Sequence, residues 1–231
     1  VRSRSALDRE ARERATSVYL PDRVIPMLPE IISNNLASLQ PNCVRYTKTV
    51  FIEFTPEGTR IGTEPCSAAI RSSCRFNYEE VDDFLQRPEK WKRKLQPEVF
   101  QLLGHMHELA KILRARRFQR GALELSMPET KIDLDNKGHV CGAHLLEHTE
   151  SHQMIEEFML AANEAVGEFL QDRDWLFLRR VHASPDPKKL KGLTDFVREL
   201  GIDSSSLESR FELQRVLECV RHLPQERAVN Y

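Results

Sequence analysis

The sequence has no long hydrophobic run, and no stretch approaches the roughly 20 consecutive apolar residues that a membrane-spanning helix requires. No signal peptide is visible, because the chain begins with the charged stretch VRSRSALDREARER. No CxxC pair is present either. The five cysteines are scattered and odd in number, which argues against a zinc knuckle and against a disulfide framework. These absences favour a cytoplasmic protein with reduced thiols and no membrane partner.

The sequence also has no excess of basic charge. It contains 34 Lys and Arg against 35 Asp and Glu, a net charge of −1, which is not the overall electrostatic footprint of a nucleic-acid-binding protein. The charge is locally uneven, however. Lys111, Arg114, Arg116, Arg117 and Arg120 follow one another with no acidic residue among them. This run is either a solvated helix face or a surface that contacts phosphates.

The segment from Val18 to Leu39 is rich in proline. Pro21, Pro26 and Pro29 lie between apolar residues, and a Ser-Asn-Asn turn follows them. Proline fixes its own φ and restrains the residue before it, so this segment can be neither one helix nor one central strand. We expect a stiff, irregular path, which is the kind of backbone that often carries a binding surface.

The remaining patterns predict a mixed α+β domain, with a long amphipathic helix over residues 151–170 in which apolar side chains recur every three or four positions. Asn77 and Glu80 have the spacing of a capping box, and Asp186 followed by Pro187 is expected to cap a later helix. Further helices are predicted at 6–15, 78–85, from 97 to about 121, from 187 to about 201, and at 207–220, and strands at 45–54, 59–71, 122–126, 131–134 and 140–146. Residues 87–96 are predicted to form a polar linker.

Three blocks of sequence resemble one family. The blocks are YLPDRVIPMLPEIISNNLASL, SHQMIEEFMLAANE from Ser151, and RVHASPDPKKL from Arg180. They are similar, in order and spacing, to the catalytic RNB domain of the ribonuclease II and ribonuclease R family. The resemblance extends from Ala6 to about Gly201 and is weak in the last thirty residues. It implies a partial RNB domain, occupying residues 1–231, of a processive 3′-to-5′ exoribonuclease that releases nucleoside 5′-monophosphates from single-stranded RNA.

The resemblance also implies roles for individual residues. Tyr19 matches a tyrosine that stacks against a base near the 3′ end of single-stranded RNA, and stacking on an aromatic ring accepts any base. Tyr78 matches a tyrosine that lies near the terminal nucleotide. The alternatives are a core tyrosine for Tyr19 and a packed helix-start residue for Tyr78. Glu156 matches a residue that contacts the last ribose, although a glutamate in the first turns of a helix is also explained by the helix dipole.

Two further positions belong to the same expected surface. Leu125 stands where family members usually have a phenylalanine, which clamps the other end of the base stack against the tyrosine. The resemblance therefore implies a clamp that lacks this aromatic ring. Arg120, at the end of the basic run, is the best candidate for a phosphate contact.

The catalytic parts of the family are missing from the chain. The family holds Mg²⁺ with clustered aspartates in a D-x5-D-x-D-D-type motif upstream of the matched region, and a downstream S-P-I-R-R-Y block supplies an arginine. Neither motif is present, and Asp82 and Asp83 do not match the first one. We therefore expect this chain to hold no metal, to be inactive alone, and to function with other domains of a parent enzyme. The alternative is a catalytically dead RNA-binding or scaffold protein of RNB shape.

Two short motifs suggest metal sites that their context disfavours. His144, Glu147 and His148 form the H-x-x-E-H pattern of some zinc proteases, but residues 140–146 alternate like a strand, which would separate the two histidines. The DLDNKG sequence from Asp133 starts like a calcium loop but has Lys137 at a ligand position, so it predicts a hairpin turn.

Overall fold

The computed structural model describes residues 1–125, 129–146, 148–221 and 223–230. The helices are α1 (Ala6–Arg14), α2 (Tyr78–Gln86), α3 (Pro88–Lys92), α4 (Pro97–Gln119), α5 (Glu150–Gln171), α6 (Pro187–Glu199), α7 (Arg210–Val220) and α8 (Glu226–Asn230), with a π-helix at Ile31–Leu36. The strands are β1 (Val18–Tyr19), β2 (Val24–Ile25), β3 (Val44–Phe54), β4 (Arg60–Arg71), β5 (Glu129–Leu134) and β6 (Val140–Leu146). They form three two-stranded sheets, β1-β2, β3-β4 and β5-β6. The predicted α+β class is confirmed.

The chain divides into two compact units. The first unit comprises Val1–Phe51, Thr63–Leu103 and Glu129–His152, and the second comprises Ile52–Gly62, Gly104–Pro128 and Gln153–Tyr231.

The proline-rich segment of the first unit folds as predicted, without a long helix or strand. β1 and β2 form a short antiparallel hairpin in which Tyr19 lies opposite Val24. The predicted Ser-Asn-Asn turn is wrong, because Ser33 to Asn35 belong to the π-helix that follows Pro29. This helix begins with amide hydrogen bonds to the Pro29 carbonyl, from Ile32 at 2.8 Å and from Ser33 at 3.1 Å.

The α2 helix of the first unit starts as predicted. The Asn77 side chain accepts from the Glu80 amide at 2.8 Å, and the Glu80 carboxylate accepts from the Asn77 amide at 2.9 Å. Val81 and Phe84 form the buried face of this helix. The predicted polar linker after it is wrong, since residues 88–92 form α3, which begins with Pro88 at its first position.

The second unit has a core formed by α6, α7, α8 and the loop that precedes α7. Val197, Leu207, Val216, Val220 and Val229 are its buried members. Asp186 caps α6 as predicted, with its carboxylate accepting from the Lys188 amide at 2.9 Å. The last predicted helix begins three residues later than expected, at Arg210, because Leu207 is buried in the loop instead.

One predicted strand of the second unit is absent. Residues 122–125 are not part of any strand, and Ser126 lies outside the described residues. The Gln214 side-chain amide donates to the carbonyls of Phe118 and Ala122, both at 3.1 Å. The chain after α4 is therefore held by a helix 92 residues further along, which local sequence does not reveal.

Candidate nucleic-acid interface

Tyr19 is an exposed aromatic side chain on a short, restrained hairpin. The Leu20 amide donates to the Arg23 carbonyl at 2.9 Å, and Pro21 lies within the turn. The Tyr19 side chain is 78% exposed, so the alternative of a core tyrosine is wrong. An exposed ring on stiff backbone loses little freedom when a flat ligand stacks on it.

Tyr78 is the first residue of α2 and is 43% exposed. Its ring stacks on the ring of His152, with the centroids 3.8 Å apart and the planes 18° from parallel. The capping box fixes the backbone at Tyr78, and the histidine supports the ring. The position therefore combines a restrained aromatic group with substantial access from solvent.

Asp82 and Asp83 have structural partners within the first unit. Asp82 accepts from the Ser151 amide at 3.1 Å. Ser151 lies at the N-terminus of α5, where the helix dipole stabilises a carboxylate. Asp83 accepts from the Lys90 ammonium at 2.6 Å and from the Trp91 indole N–H at 2.8 Å, and it also pairs with Arg87. The hydrogen bonds from Lys90 and Trp91, followed by the positive charge of Arg87, lower the pKa of Asp83 to about 2. These contacts link α2 to α3 and to α5.

The basic run on α4 is largely an internal ion-pair network of the second unit. Arg114 pairs with Glu124, and Arg116 donates to the Glu57 carbonyl at 3.1 Å. Both arginine side chains are only partly exposed. For these two positions, a fully solvated helix face is the wrong interpretation.

Glu157 is the buried anchor of this network. It is 3% exposed, and its Oε1 accepts from Arg117 Nε at 3.0 Å and from Arg117 Nη2 at 2.5 Å. Arg114 is a second positive charge near this carboxylate, with its Nη1 3.9 Å from Oε1 of Glu157. Burial alone would lower the pKa of Arg117, but the hydrogen bond to Glu157 and the charges of Glu157 and Glu156 outweigh it, so the pKa is raised. Arg117 is therefore firmly charged.

Arg117 also holds the neighbouring carboxylate. Its Nη2 lies 3.3 Å from Oε1 of Glu156, whose side chain is 40% exposed. The two adjacent glutamates thus have different environments: Glu157 is buried against arginine, whereas Glu156 shares that arginine and faces solvent. A solvent-facing carboxylate in a fixed position can accept a hydrogen bond from a hydroxyl group.

Arg120 and Leu125 also belong to the second unit and are accessible. The Arg120 side chain is 64% exposed and makes a loose ion pair with Glu164 at 3.6 Å. Leu125 is 50% exposed. Exposed ion pairs of this kind contribute little to stability, so Arg120 can exchange its partner for another anion at low cost.

The five predicted site residues divide between the two units. Tyr19 and Tyr78 belong to the first, and Arg120, Leu125 and Glu156 belong to the second. A cavity of about 140 Å³ in the second unit is lined by Arg60, Arg116, Arg117, Arg120 and the glutamates facing them. Ligand pockets are usually roughly 300–1,000 Å³, so the candidate interface consists of exposed groups rather than this crevice.

The residues described here do not bring together three His, Cys, Asp or Glu side chains that could hold a metal ion. The cluster of carboxylate oxygens that Mg²⁺ prefers is therefore not assembled among these residues. Within the same described ranges, no helix is both long enough and apolar enough to span a membrane.

The two short motifs that suggested metal sites have ordinary structural explanations. His144 lies on β6, where its Nδ1 is 3.0 Å from the Asp133 carboxylate, and Glu147 lies outside the described residues. The predicted hairpin turn is confirmed, because the amides of Lys137 and His139 donate to Asp135 Oδ1 at 2.8 and 2.9 Å. These hydrogen bonds lower the pKa of Asp135.

Comparison with known proteins identifies the family. Residues 1–231 match the family model described as RNB domain. Ribonuclease R of Thermotoga maritima is 37% identical over 228 residues, which cover 97% of this chain and 32% of that protein. Ribonuclease R of Mycoplasmopsis pulmonis is 37% identical over 203 residues, covering 88% of this chain and 27% of that protein. This chain belongs to the RNB domain family of ribonuclease II and ribonuclease R, and it spans about a third or less of these relatives.

Solved structures agree with that assignment. Mycoplasma genitalium RNase R in complex with ribose methylated single-stranded RNA has a TM-score of 0.89 and 31% identity, and the match covers 100% of this chain and 36% of that chain. Yeast Ssd1, a pseudonuclease, has a TM-score of 0.74 at 20% identity over 100% of this chain and 27% of its own. At that identity the second likeness shows the fold alone.

Three residues near the predicted site were missed by the sequence analysis: Arg117, Glu157 and His152. Arg117 lay within the basic run, but its charge gave no sign of a buried partner. The helical period of α5 could have marked Glu157, which lies three residues after the buried Met154 and on the same face. His152 had no distinguishing signal beyond its place in the matched block.

Proposed function

We propose that this chain is the RNA-holding part of a 3′-to-5′ exoribonuclease that hydrolyses single-stranded RNA to nucleoside 5′-monophosphates. Membership of the RNB family supports the class of enzyme. The observation that carries the finer proposal is the fixed, solvent-facing Glu156 carboxylate, which Arg117 contacts at 3.3 Å. Such a group can accept a hydrogen bond from a ribose 2′-hydroxyl and so distinguish RNA from DNA.

In this proposal each site residue has a separate task. Tyr19 offers an exposed ring on which a base stacks, Leu125 offers a weaker apolar face, Tyr78 contacts the terminal nucleotide, and Arg120 contacts a phosphate. None of these groups activates water or stabilises a leaving group. Metal binding and cleavage belong to other segments of the parent protein, and Mg²⁺ is the ion that the family resemblance implies there. The isolated chain should therefore bind RNA without degrading it.

A binding experiment tests the proposal. Fluorescence anisotropy with 5′-labelled oligo(A) RNA and with DNA of the same sequence should show tighter binding of RNA. Log affinity should fall with log salt concentration by about 0.7 per phosphate contact. Glu156→Ala, which removes the hydrogen-bond acceptor, should bring RNA affinity towards that of DNA without an equal loss of DNA binding. Glu199→Ala, an exposed change on α6, is the matched control. Equal loss on RNA and DNA in the Glu156 variant would contradict the ribose contact.

A second measurement addresses catalysis. The purified chain should release no mononucleotides from poly(A) in the presence of Mg²⁺, and release would overturn the assignment of cleavage to other segments. A catalytically dead RNA-binding or scaffold protein of RNB shape is the alternative, and the fold of the pseudonuclease Ssd1 keeps it open. The gene sequence flanking this region decides between the two. An intact aspartate cluster upstream favours the enzyme, and a degenerate one favours the binder.

A further inference from the structure

Tyr19 lies on a hairpin that its own two strands hold only weakly. In the β1-β2 hairpin, Val18 pairs with Ile25 and Tyr19 pairs with Val24. A two-stranded hairpin is at best marginally stable in water. The apolar residues around Tyr19 on this hairpin are 43% to 47% exposed, so burial of their side chains supplies little of the missing support. They are Val18, Leu20, Val24 and Ile25.

Two side chains add hydrogen bonds at the open end of the hairpin. The Ser17 hydroxyl oxygen accepts from the Met27 amide at 3.0 Å. The Arg14 guanidinium donates to the Pro26 carbonyl at 3.2 Å. Both bonds join the chain just before β1 to the chain just after β2. The hairpin is therefore closed by side chains at the point where its backbone pairing ends.

Ser17 is the more constrained of these two supports. It is partly buried, whereas Arg14 is exposed and also pairs with Glu10 at 2.8 Å. Ser17 directly precedes β1, and only Val18 separates it from Tyr19. Without the bond from Met27, the two ends of the hairpin are freer to separate. The Tyr19 ring, which is 78% exposed, would then occupy several positions instead of one.

We propose that Ser17 is a positioning residue, which holds the hairpin so that the Tyr19 ring is preorganised for the base that stacks on it. The inference rests on the proposed function, because it requires a base to stack on Tyr19. Ser17 contacts no RNA in this proposal and acts only through the hairpin. A hairpin that is already ordered loses less conformational freedom on binding, so more of the stacking energy appears as affinity.

The first measurement concerns the chain without RNA. Hydrogen exchange followed by mass spectrometry should show faster exchange across residues 18–29 in Ser17→Ala than in the original chain. Ser17→Thr keeps the hydroxyl group and should restore the slower exchange. Ser73→Ala, which changes an exposed serine of the same unit, is the matched control. Unchanged exchange in Ser17→Ala would overturn the inference, because Ser17 would not be holding the hairpin.

The second measurement concerns RNA binding, followed by anisotropy and by the fluorescence of 2-aminopurine, which stacking quenches. Oligo(A) RNA carries this base at the position near its 3′ end where the original chain quenches it and Tyr19→Ala does not. Ser17→Ala should weaken binding about 2- to 12-fold, the equivalent of one hydrogen bond, and should reduce the quenching. Ser17→Thr should restore both, and Ser73→Ala should bind like the original chain.

Two comparisons show whether the effect passes through Tyr19. In a Tyr19→Ala background, Ser17→Ala should cause no further loss of affinity. With RNA that is abasic at the stacked position, the Ser17→Ala and original chains should bind equally. A loss that persists in either comparison overturns the positioning role. Thermal unfolding checks that each variant folds. If Ser17→Ala does not fold, Ser17→Cys replaces it, because sulfur is a weak acceptor in a side chain of similar size.

The outcomes distinguish this inference from the proposed function. If Tyr19→Ala abolishes the quenching but Ser17→Ala matches the Ser73→Ala control, the positioning role is overturned and the proposed function stands. If Tyr19→Ala changes neither affinity nor quenching at any position, the stacking contact assigned to Tyr19 fails, and this inference fails with it. If the original chain binds no RNA, the proposed function itself fails.

Discussion

Glu157→Gln should destabilise the second unit more than any change to an exposed glutamate of α5. Glu157 is 3% exposed and receives two hydrogen bonds from Arg117 at its Oε1 atom, with Arg114 at 3.9 Å. Glutamine removes the buried counter-charge of Arg117 and leaves its guanidinium with only the half-exposed Glu156 carboxylate. Removing one partner of a fully buried pair costs about 3–5 kcal/mol. Because Arg117 is 21% exposed and keeps some contact with water, we expect about 2–4 kcal/mol here.

The assay is thermal and urea unfolding followed by circular dichroism. For a chain of this size, each kcal/mol shifts the Tm by about 2–4 °C, so a fall of about 5–15 °C is expected. Glu164→Gln is the matched control on the same helix, because Glu164 is 52% exposed and pairs with Arg120 at 3.6 Å. An exposed pair of this kind contributes about 0–1 kcal/mol. The control should therefore change the Tm by only a few degrees.

A double variant tests whether the cost comes from the unpaired charge. Combining Arg117→Met with Glu157→Leu replaces the pair by apolar side chains of similar volume, which is often neutral or stabilising for buried pairs. The double variant should therefore be more stable than Glu157→Gln alone. If Glu157→Gln and Glu164→Gln lower the Tm equally, Glu157 is effectively solvated and the reasoning is refuted.

Three further predictions concern other parts of the structure. Gly58→Ala should cost about 2–4 kcal/mol, since φ is +77° and a Cβ would lie 2.6 Å from Ile112. Gly138→Ala, at φ +82° in open space, should cost only about 1–2 kcal/mol in urea unfolding, and equal costs would contradict the clash. The Asp83 pKa of about 2 lies below its ordinary 3.8, so its stabilising contribution is complete above about pH 4 and lost towards pH 2. The Trp91 indole N–H resonance should follow this loss, and Asp83→Asn should abolish the titration. Leu125→Phe should tighten RNA binding about 5-fold or more, and unchanged affinity would exclude a stacking role there.

Local patterns were sufficient for most of the secondary structure. The capping box at Asn77, the N-cap at Asp186 and the hairpin turn that follows Asp133 all depend on interactions within a few residues, and each forms as predicted. The amphipathic period likewise predicted α5, which extends one residue further at each end than expected. Interactions confined to four or five residues can be recognised from a single sequence, because both partners fall within the same short segment.

Two of the wrong predictions involve partners that lie outside a window of four or five residues. Residues 122–125 are predicted as part of a strand, but the Gln214 side chain donates to the carbonyl of Ala122. The segment predicted as a linker after α2 is a helix whose Lys90 and Trp91 bind back to Asp83. In both places a contact outside the local window decides the conformation, so propensity and pattern were overridden by tertiary structure.

The two glutamates of α5 show the same limit within the candidate site. Adjacent helical residues point about 100° apart, so only one of Glu156 and Glu157 can lie on the buried face. The helical period favours Glu157 but does not identify its partner. That partner is Arg117, 40 positions earlier, which pairs bidentately with Glu157 and contacts Glu156 with the same guanidinium. One arginine thus serves both the packing of α4 on α5 and the placement of the proposed ribose contact. A substitution of Arg117 cannot separate these roles, because it removes both at once. Glu156→Ala removes the hydrogen-bond acceptor and leaves the buried pair in place, so it can attribute RNA–DNA discrimination to the Glu156 side chain itself.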